Sequence, residues 1–340
     1  MKLRLGICLA LFVFLVGVSA AAEPPYAKQT FTYKTVGSMA IKADVYRPPG
    51  EGLRPIIVWI HPGGLIMGSR AMLLLDECER FLRAGFIVVA IDYRLAPETK
   101  LPEILADIAD AFKWVRGAGA TLFDGDPKRV VAVGSSAGGY LALMAGARVQ
   151  PRLNAIVSFY GYGDIGGEWY NRPSPFYATL PRVSHQDAHR AIGVKEISEA
   201  PVRERNAFYI YCRQNGSWPY EVVGPLPNAG PAPYAAFSVE RLVTKDFPPT
   251  LLLHGDQDVD VPFEMSERMA AKLAEHRVEH RFIRMEGFNH AFDVFPSYPP
   301  EGPPVGLSRP KVAEAFEGVV SFLVKHSHKQ SCSMWFTRKN

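Results

Sequence analysis

Residues 130–146, "VVAVGSSAGGYLALMAG", decide the fold. A short apolar run, 130–133, meets two serines set between glycines, and a helix-forming segment follows. A strand that turns sharply into a helix holds one side chain clear of a sheet, provided its neighbours are small enough for the backbone to fold back tightly. Gly134, Gly138 and Gly139 meet that need. The G-x-S-x-G spacing then separates the serines. Ser136 is flanked by Gly134 and Gly138, whereas Ser135 would be flanked by Val133 and Ala137. Ser136 is the candidate nucleophile. A tight turn with a helix N-cap serine would also put serine here, so the neighbouring elements must carry the reactive reading.

They do so on both sides. Upstream lie "TFTYKTVG" and "MAIKADVYRP", which alternate loosely like a hairpin, then the apolar runs "PIIVWI" (55–60) and "GFIVVAIDYR" (85–94). Downstream lie "LNAIVSFYG" (153–161), "PTLLLHG" (249–255) and "VEHRFIRM" (278–285). Runs apolar on both faces fit central parallel strands. Between them, "RAMLLLDECERFLRAG", "EILADIADAFKWVRGAG", "GYLALMAGARV", "EMSERMAAKLAEH" and "KVAEAFEGVVSFLVKH" repeat apolar residues at helical spacing. The alternation predicts an α/β fold, a doubly wound and mostly parallel sheet with right-handed crossovers. Residues 162–246 break the rhythm with Pro, Gly, Tyr and Trp. A structureless loop of that length does not suit a compact domain, so the segment reads as an inserted cap over the C-terminal edge of the sheet.

A serine hydroxyl becomes a nucleophile only when a base takes its proton, and a third group must orient that base. In strand–elbow–helix folds the chain order is Ser, then Asp or Glu, then His. Asp256, Asp258 and Asp260 follow the strand ending at Leu253 and supply the acid. Their D-x-D-x-D spacing, with Glu267 at the twelfth place, imitates a calcium loop, but Val261 stands where the required glycine would be and Pro262 follows. No metal is expected. "MEGFNHAFDVF" puts His290 in a loop directly after the last strand, in the place of the base. The oxyanion needs backbone N–H donors. "IHPGGLIMGS" offers Gly63 and Gly64, since Pro62 cannot donate, and the Ala137 N–H follows the nucleophile at a helix N-terminus.

These residues together resemble the α/β-hydrolase family, specifically its hormone-sensitive-lipase-like branch of carboxylesterases. "HPGG" is similar to that branch's H-G-G-G oxyanion motif. "GSSAGG" is similar to its G-D-S-A-G-G elbow, with Ser135 in place of the aspartate. "DYRLAPE", followed by Pro102 and Asp107, is a further hallmark. "HGDQDVDVP" resembles the H-G-x-x-D-x-x-V segment, and the resemblance assigns the acid to Asp258 among the three aspartates. "GFNHAF" resembles the loop that carries the base, His290. Pro62 in place of a glycine resembles some secreted esterases related to acetylxylan and feruloyl esterases. The aromatic insertion differs from the branch's usual N-terminal cap.

Composition and the N-terminus bound the rest. The chain has 340 residues, 48% hydrophobic and 21% charged, which suffices for a large core. The formal charge of +4 is spread without a basic run, so no nucleic-acid partner is expected. Lys2 and Arg4 precede an apolar run over 5–18, then Ser19, Ala20, Ala21 and Ala22. That is the pattern of a signal peptide over 1–22, too short to span a bilayer, and it predicts a secreted or periplasmic protein with no membrane span after cleavage. Cleavage would lower the charge from +4 to +2 and remove Cys8. Cys78, Cys212 and Cys332 remain, room for one disulfide and one free thiol, in no zinc spacing. The expected organisation is a signal peptide (1–22), a hydrolase core (23–161 and 247–326), an inserted cap (162–246) and a C-terminal tail (327–340).

The expectation is a cofactor-independent serine esterase acting on a small-molecule or carbohydrate ester, with Ser136, His290 and Asp258 in the acyl transfer and Gly63, Gly64 and Ala137 around the oxyanion. An amidase or peptidase could use the same triad, and a non-catalytic binding protein could keep the fold. Within the insertion, Trp169, Tyr170, Tyr177, Tyr209, Tyr211, Trp218 and Tyr220 either stack on a sugar or aromatic acyl group or form the cap's own core. Arg94 is expected to brace its loop by pairing with Asp107 or Glu98.

Overall fold

A computed structural model describes residues 26–224, 234–297, 300, 302 and 305–327. The expected signal peptide, Cys332 and nearly all of the expected tail lie outside them. Alternating and continuous apolar runs become eight strands, β1 (Ala27–Val36), β2 (Met39–Arg47), β3 (Arg54–Ile60), β4 (Ile87–Ile91), β5 (Gly125–Ser135), β6 (Ile156–Phe159), β7 (Thr250–Gly255) and β8 (His280–Met285). They form one sheet in the order β1-β2-β4-β3-β5-β6-β7-β8. β1 and β2 form the expected hairpin and run antiparallel, β2 pairs antiparallel with β4, and every later pair is parallel.

The central strands are buried on both faces because helices cover both. Successive side chains point to opposite sides of a strand. Ile56, Val58 and Ile60 of β3 therefore enter one core with α2 (Leu101–Arg116) and α4 (Ala137–Arg148). Ile57 and Trp59 enter the other, with α1 (Leu75–Arg83) and α11 (Pro310–Ser327). α3 (Ala118–Phe123) and α10 (Glu264–Glu275) complete the layers.

Two helices differ from the periodicity. The helix expected from Arg70 begins only at Leu75, after a single 3₁₀ turn at Arg70–Met72. Asp92 accepts from the Arg70 backbone N–H at 2.7 Å and from its guanidinium, which holds that turn against the end of β4. The helix expected to continue through Ala118 breaks at Gly117, and α3 starts anew.

Between β6 and β7 lie α5 (Glu168–Asn171), α6 (Pro175–Ala178), α7 (His185–His189), α8 (Val202–Asn215) and α9 (Trp218–Val223). α8 lacks an apolar stripe because part of its buried face is charged or amide-bearing: Arg205, Arg213 and Gln214. Arg205 pairs with Glu98 at 2.6 Å and donates to the Ala96 and Ile66 carbonyls. Arg213 lies 4.7 Å from the centre of the Tyr170 ring and donates to the Asp260 carbonyl at 2.9 Å. The aromatic residues pack chiefly on one another: Trp169 on Tyr170 at 3.8 Å, Tyr170 on Trp218 at 3.9 Å. Of the two readings of these rings, the internal core holds for that stack; only Tyr177 and Tyr209 of the set line the cavity described below.

Arg94 forks onto Asp107, with Nε 2.8 Å from one oxygen and Nη2 2.9 Å from the other. Glu98 is taken by Arg205 instead. Cys78 and Cys212 are buried free thiols in different cores.

Candidate active site

β5 delivers Ser136 to the edge of the sheet. β5 ends at Ser135 and α4 starts at Ala137, so Ser136 is the whole turn between them, with φ 53° and ψ −119°. That conformation is costly for a residue with a side chain, and structures keep such strain at functional sites. It requires small neighbours. A Cβ on Gly134 would lie 2.2 Å from the Gly138 carbonyl oxygen, and one on Gly138 would lie 2.0 Å from that of Ile60. The Ser136 N–H donates to the Phe159 carbonyl at 2.8 Å, which pins the turn to β6.

His290 reaches Ser136 from the loop after β8. Its Nε2 is 3.1 Å from Ser136 Oγ and its Nδ1 is 2.7 Å from Asp258 Oδ2. Three residues far apart in the chain thus form one hydrogen-bonded line. Asp258 is buried, which by itself raises a carboxyl's pKa, but His290 and His254 outweigh burial and hold it well below the usual range. Its Oδ1 accepts the N–H groups of Asp260 (2.9 Å) and Val261 (2.8 Å). His290 shows the mirror balance. Burial pushes it down, yet Asp258, Asp260 and Asp293 hold it above its ordinary 6.5.

Two residues of this acid loop had only a coarse signal in the sequence. His254, at the end of β7, joins Asp258 Oδ2 (3.0 Å) to the Ser266 hydroxyl (2.7 Å) and so fixes the acid's orientation. Asp260 Oδ2 lies 3.7 Å from His290 Nε2, and its Oδ1 accepts from the Tyr209 hydroxyl at 2.8 Å. The calcium-like spacing scatters in space: Asp256 binds Arg284 and the Gly287 N–H, while Asp258 and Asp260 turn to separate partners. Among the described residues no group of three His, Cys, Asp or Glu side chains is placed to hold a metal ion.

Gly63 and Gly64 follow β3 and line the same cavity as Ser136 and His290. Both adopt positive φ, 117° and 61°, and a Cβ on Gly63 would lie 2.0 Å from the Met67 carbonyl oxygen. The loop is held from both sides. Trp218 Nε1 donates to the Gly64 carbonyl at 2.8 Å. His61, driven by burial down to about 4 and hence neutral, stacks on Tyr93 at 4.1 Å and donates from Nδ1 to the Pro62 carbonyl. Ala137 is buried at the first position of α4. The cavity, about 230 Å³, is walled by these residues, by Tyr160 and Trp59, and by α6 and α8. Its walls are largely apolar.

A family profile described as the alpha/beta hydrolase fold matches residues 57–294, most of the chain and the whole of this site. The chain belongs to the alpha/beta-hydrolase family. Among curated proteins it resembles the non-reducing polyketide synthase Preu6 of Preussia isomera, 30% identical over 308 residues, covering 81% of this chain and 14% of that one. It also resembles the esterase LipC of Mycobacterium tuberculosis, 26% identical over 244 residues, covering 71% of this chain and 53% of LipC. The hydrolase therefore spans about one seventh of the first relative and about half of the second. A solved alpha/beta-hydrolase superfamily protein of Enterococcus faecalis superposes with a TM-score of 0.69 at 24% identity, over 88% of this chain and 99% of that one, which establishes the likeness of fold. No helix among the described residues is long and apolar enough to cross a membrane.

Proposed function

We propose that this hydrolase is an exported serine carboxylesterase that cleaves short-chain, acetyl-type esters, with acylated carbohydrates among its substrates. The observation that carries the reading is the continuous contact from Ser136 Oγ through His290 to Asp258, at 3.1 and 2.7 Å. Ser136 attacks the ester carbonyl as His290 Nε2 takes its proton. Asp258 holds the imidazole with Nδ1–H toward itself and stabilises the imidazolium. The N–H groups of Gly63, Gly64 and Ala137 receive the oxyanion. His290 returns the proton to the leaving alcohol, and water, deprotonated by the same imidazole, releases the acid. The small apolar cavity favours a short acyl chain. Residues 162–246 serve as the cap and 23–161 with 247–326 as the catalytic core.

The test is Ser136→Ala assayed on 4-nitrophenyl acetate. Loss of at least about 10⁴-fold in kcat is expected, with unchanged circular dichroism. Retained turnover, or failure of the wild type to react with a fluorophosphonate probe, defeats the reading. Parallel rates on matched acetyl esters and acetyl amides separate an esterase from an amidase. Export is tested by sequencing the N-terminus of protein recovered outside the cytoplasm, expected to begin at Glu23.

A further inference from the structure

The cavity wall holds polar groups that acyl transfer does not use. Glu77 of α1 and Asp293, three residues beyond His290, both line it and are 4% and 1% exposed. The two carboxyls lie against each other. The Tyr160 hydroxyl donates to Asp293 Oδ1 at 2.6 Å, and the Tyr160 ring meets the His290 ring edge to face at 4.6 Å. Glu77 Oε1 is buried and has no donor among the described residues. Leaving such an acceptor unmatched is costly, because it has given up its bonds to water without replacing them.

Burial raises both groups, and Glu77 rises further because Asp293 lies against it. Asp293 is eased back by the Tyr160 hydroxyl and by its contact with Glu77. Glu77 thus stands as an unmatched acceptor in a largely apolar wall. A substrate hydroxyl placed there would give it a donor.

We propose that Glu77, held by Asp293 and Tyr160, forms a subsite of the active-site cavity that accepts a hydrogen bond from a substrate hydroxyl, so that the preferred esters are hydroxylated. The inference rests on the esterase reading of Ser136 and narrows its substrate class.

The experiment compares kcat/KM for 4-nitrophenyl butyrate and pentyl acetate with analogues carrying a hydroxyl at successive carbons of the acyl or alcohol chain. Wild type is expected to favour the hydroxylated ester about tenfold at one position or more. In Glu77→Met that ratio should fall to within about twofold of unity, while Glu77→Gln, which keeps a carbonyl oxygen and a donor toward Asp293, should retain it. Each ratio is taken within one preparation, so a change in the folded fraction cancels. Ratios near unity at every position in the wild type overturn the subsite, as does an undiminished ratio in Glu77→Met. Hydrolysis of the unsubstituted esters reads the chemistry of Ser136 separately: if it persists without preference, only the subsite falls, and if it is absent, the esterase reading falls.

Discussion

The loops at the rim of the sheet and the segment between β6 and β7 are built by opposite rules. At the rim, each functional side chain is placed by its immediate neighbours. Ser136 is raised by the glycines two residues either side, Asp258 is gripped by N–H groups two and three residues on, and Gly63 bends a loop only four residues deep. In the inserted segment, each key side chain is placed from a distance. Arg205 finds Glu98, Arg213 finds Asp260, and Trp218 finds Gly64. Local chemistry can be read from one stretch of sequence. Chemistry between distant stretches cannot.

The sharpest way to break this contrast is at the rim. Asp258→Asn should reduce kcat about 10⁴-fold, because the amide no longer enforces the productive imidazole tautomer. The same variant should move the acid limb of kcat/KM. His290 must be neutral to accept the serine proton, and its neighbours hold it above 6.5, so wild-type kcat/KM should rise with pH through a midpoint above that value. Removing the Asp258 charge should shift the midpoint to lower pH, measured by a pH–rate profile on a non-ionising ester. A midpoint that stays in place would mean that Asp258 is not the dominant charge on His290.

The segment between β6 and β7 should respond in stability as well as in turnover. Arg213→Met removes a buried cation from among four aromatic rings and leaves Asp260 without its charged partner. A loss of about 3–5 kcal/mol is expected in urea unfolding. A smaller effect is expected of Asp260→Asn on the acid limb, again toward lower pH, since Asp260 ranks below Asp258 among the groups that raise His290. The least effect belongs to Tyr220→Ala. That ring is 55% exposed and outside the cavity, so stability should change by no more than about 0.5 kcal/mol and ester turnover should be unaffected. A large fall in activity toward an acetylated sugar would restore the sugar-stacking reading for this ring.

The same rules explain how far the sequence could be read. The sheet was legible because "PIIVWI" and "VVAVG" are buried on both faces, and such runs have few other homes. The line from Ser136 to His290 was legible because its members follow strand ends in a fixed order. α8 was not, since periodicity counts apolar residues and this helix turns two arginines inward. Nor was the meeting of Glu77 with Asp293. They stand far apart in the chain on elements that touch only when α1 lies beneath the loop after β8, and no spacing records that approach.

One feature of α8 links the two regions. Arg205 and Arg213 stand about two turns apart on one helix. The first fastens the backbone at Ile66 and Ala96, beside the glycines proposed to receive the oxyanion; the second fastens Asp260, beside the proposed acid Asp258. A single strut therefore sets the gauge between the two halves of the proposed reaction centre. Tilting it would shift the charge-receiving and proton-handling groups in concert, so damage here would blunt turnover before it loosened the grip on substrate.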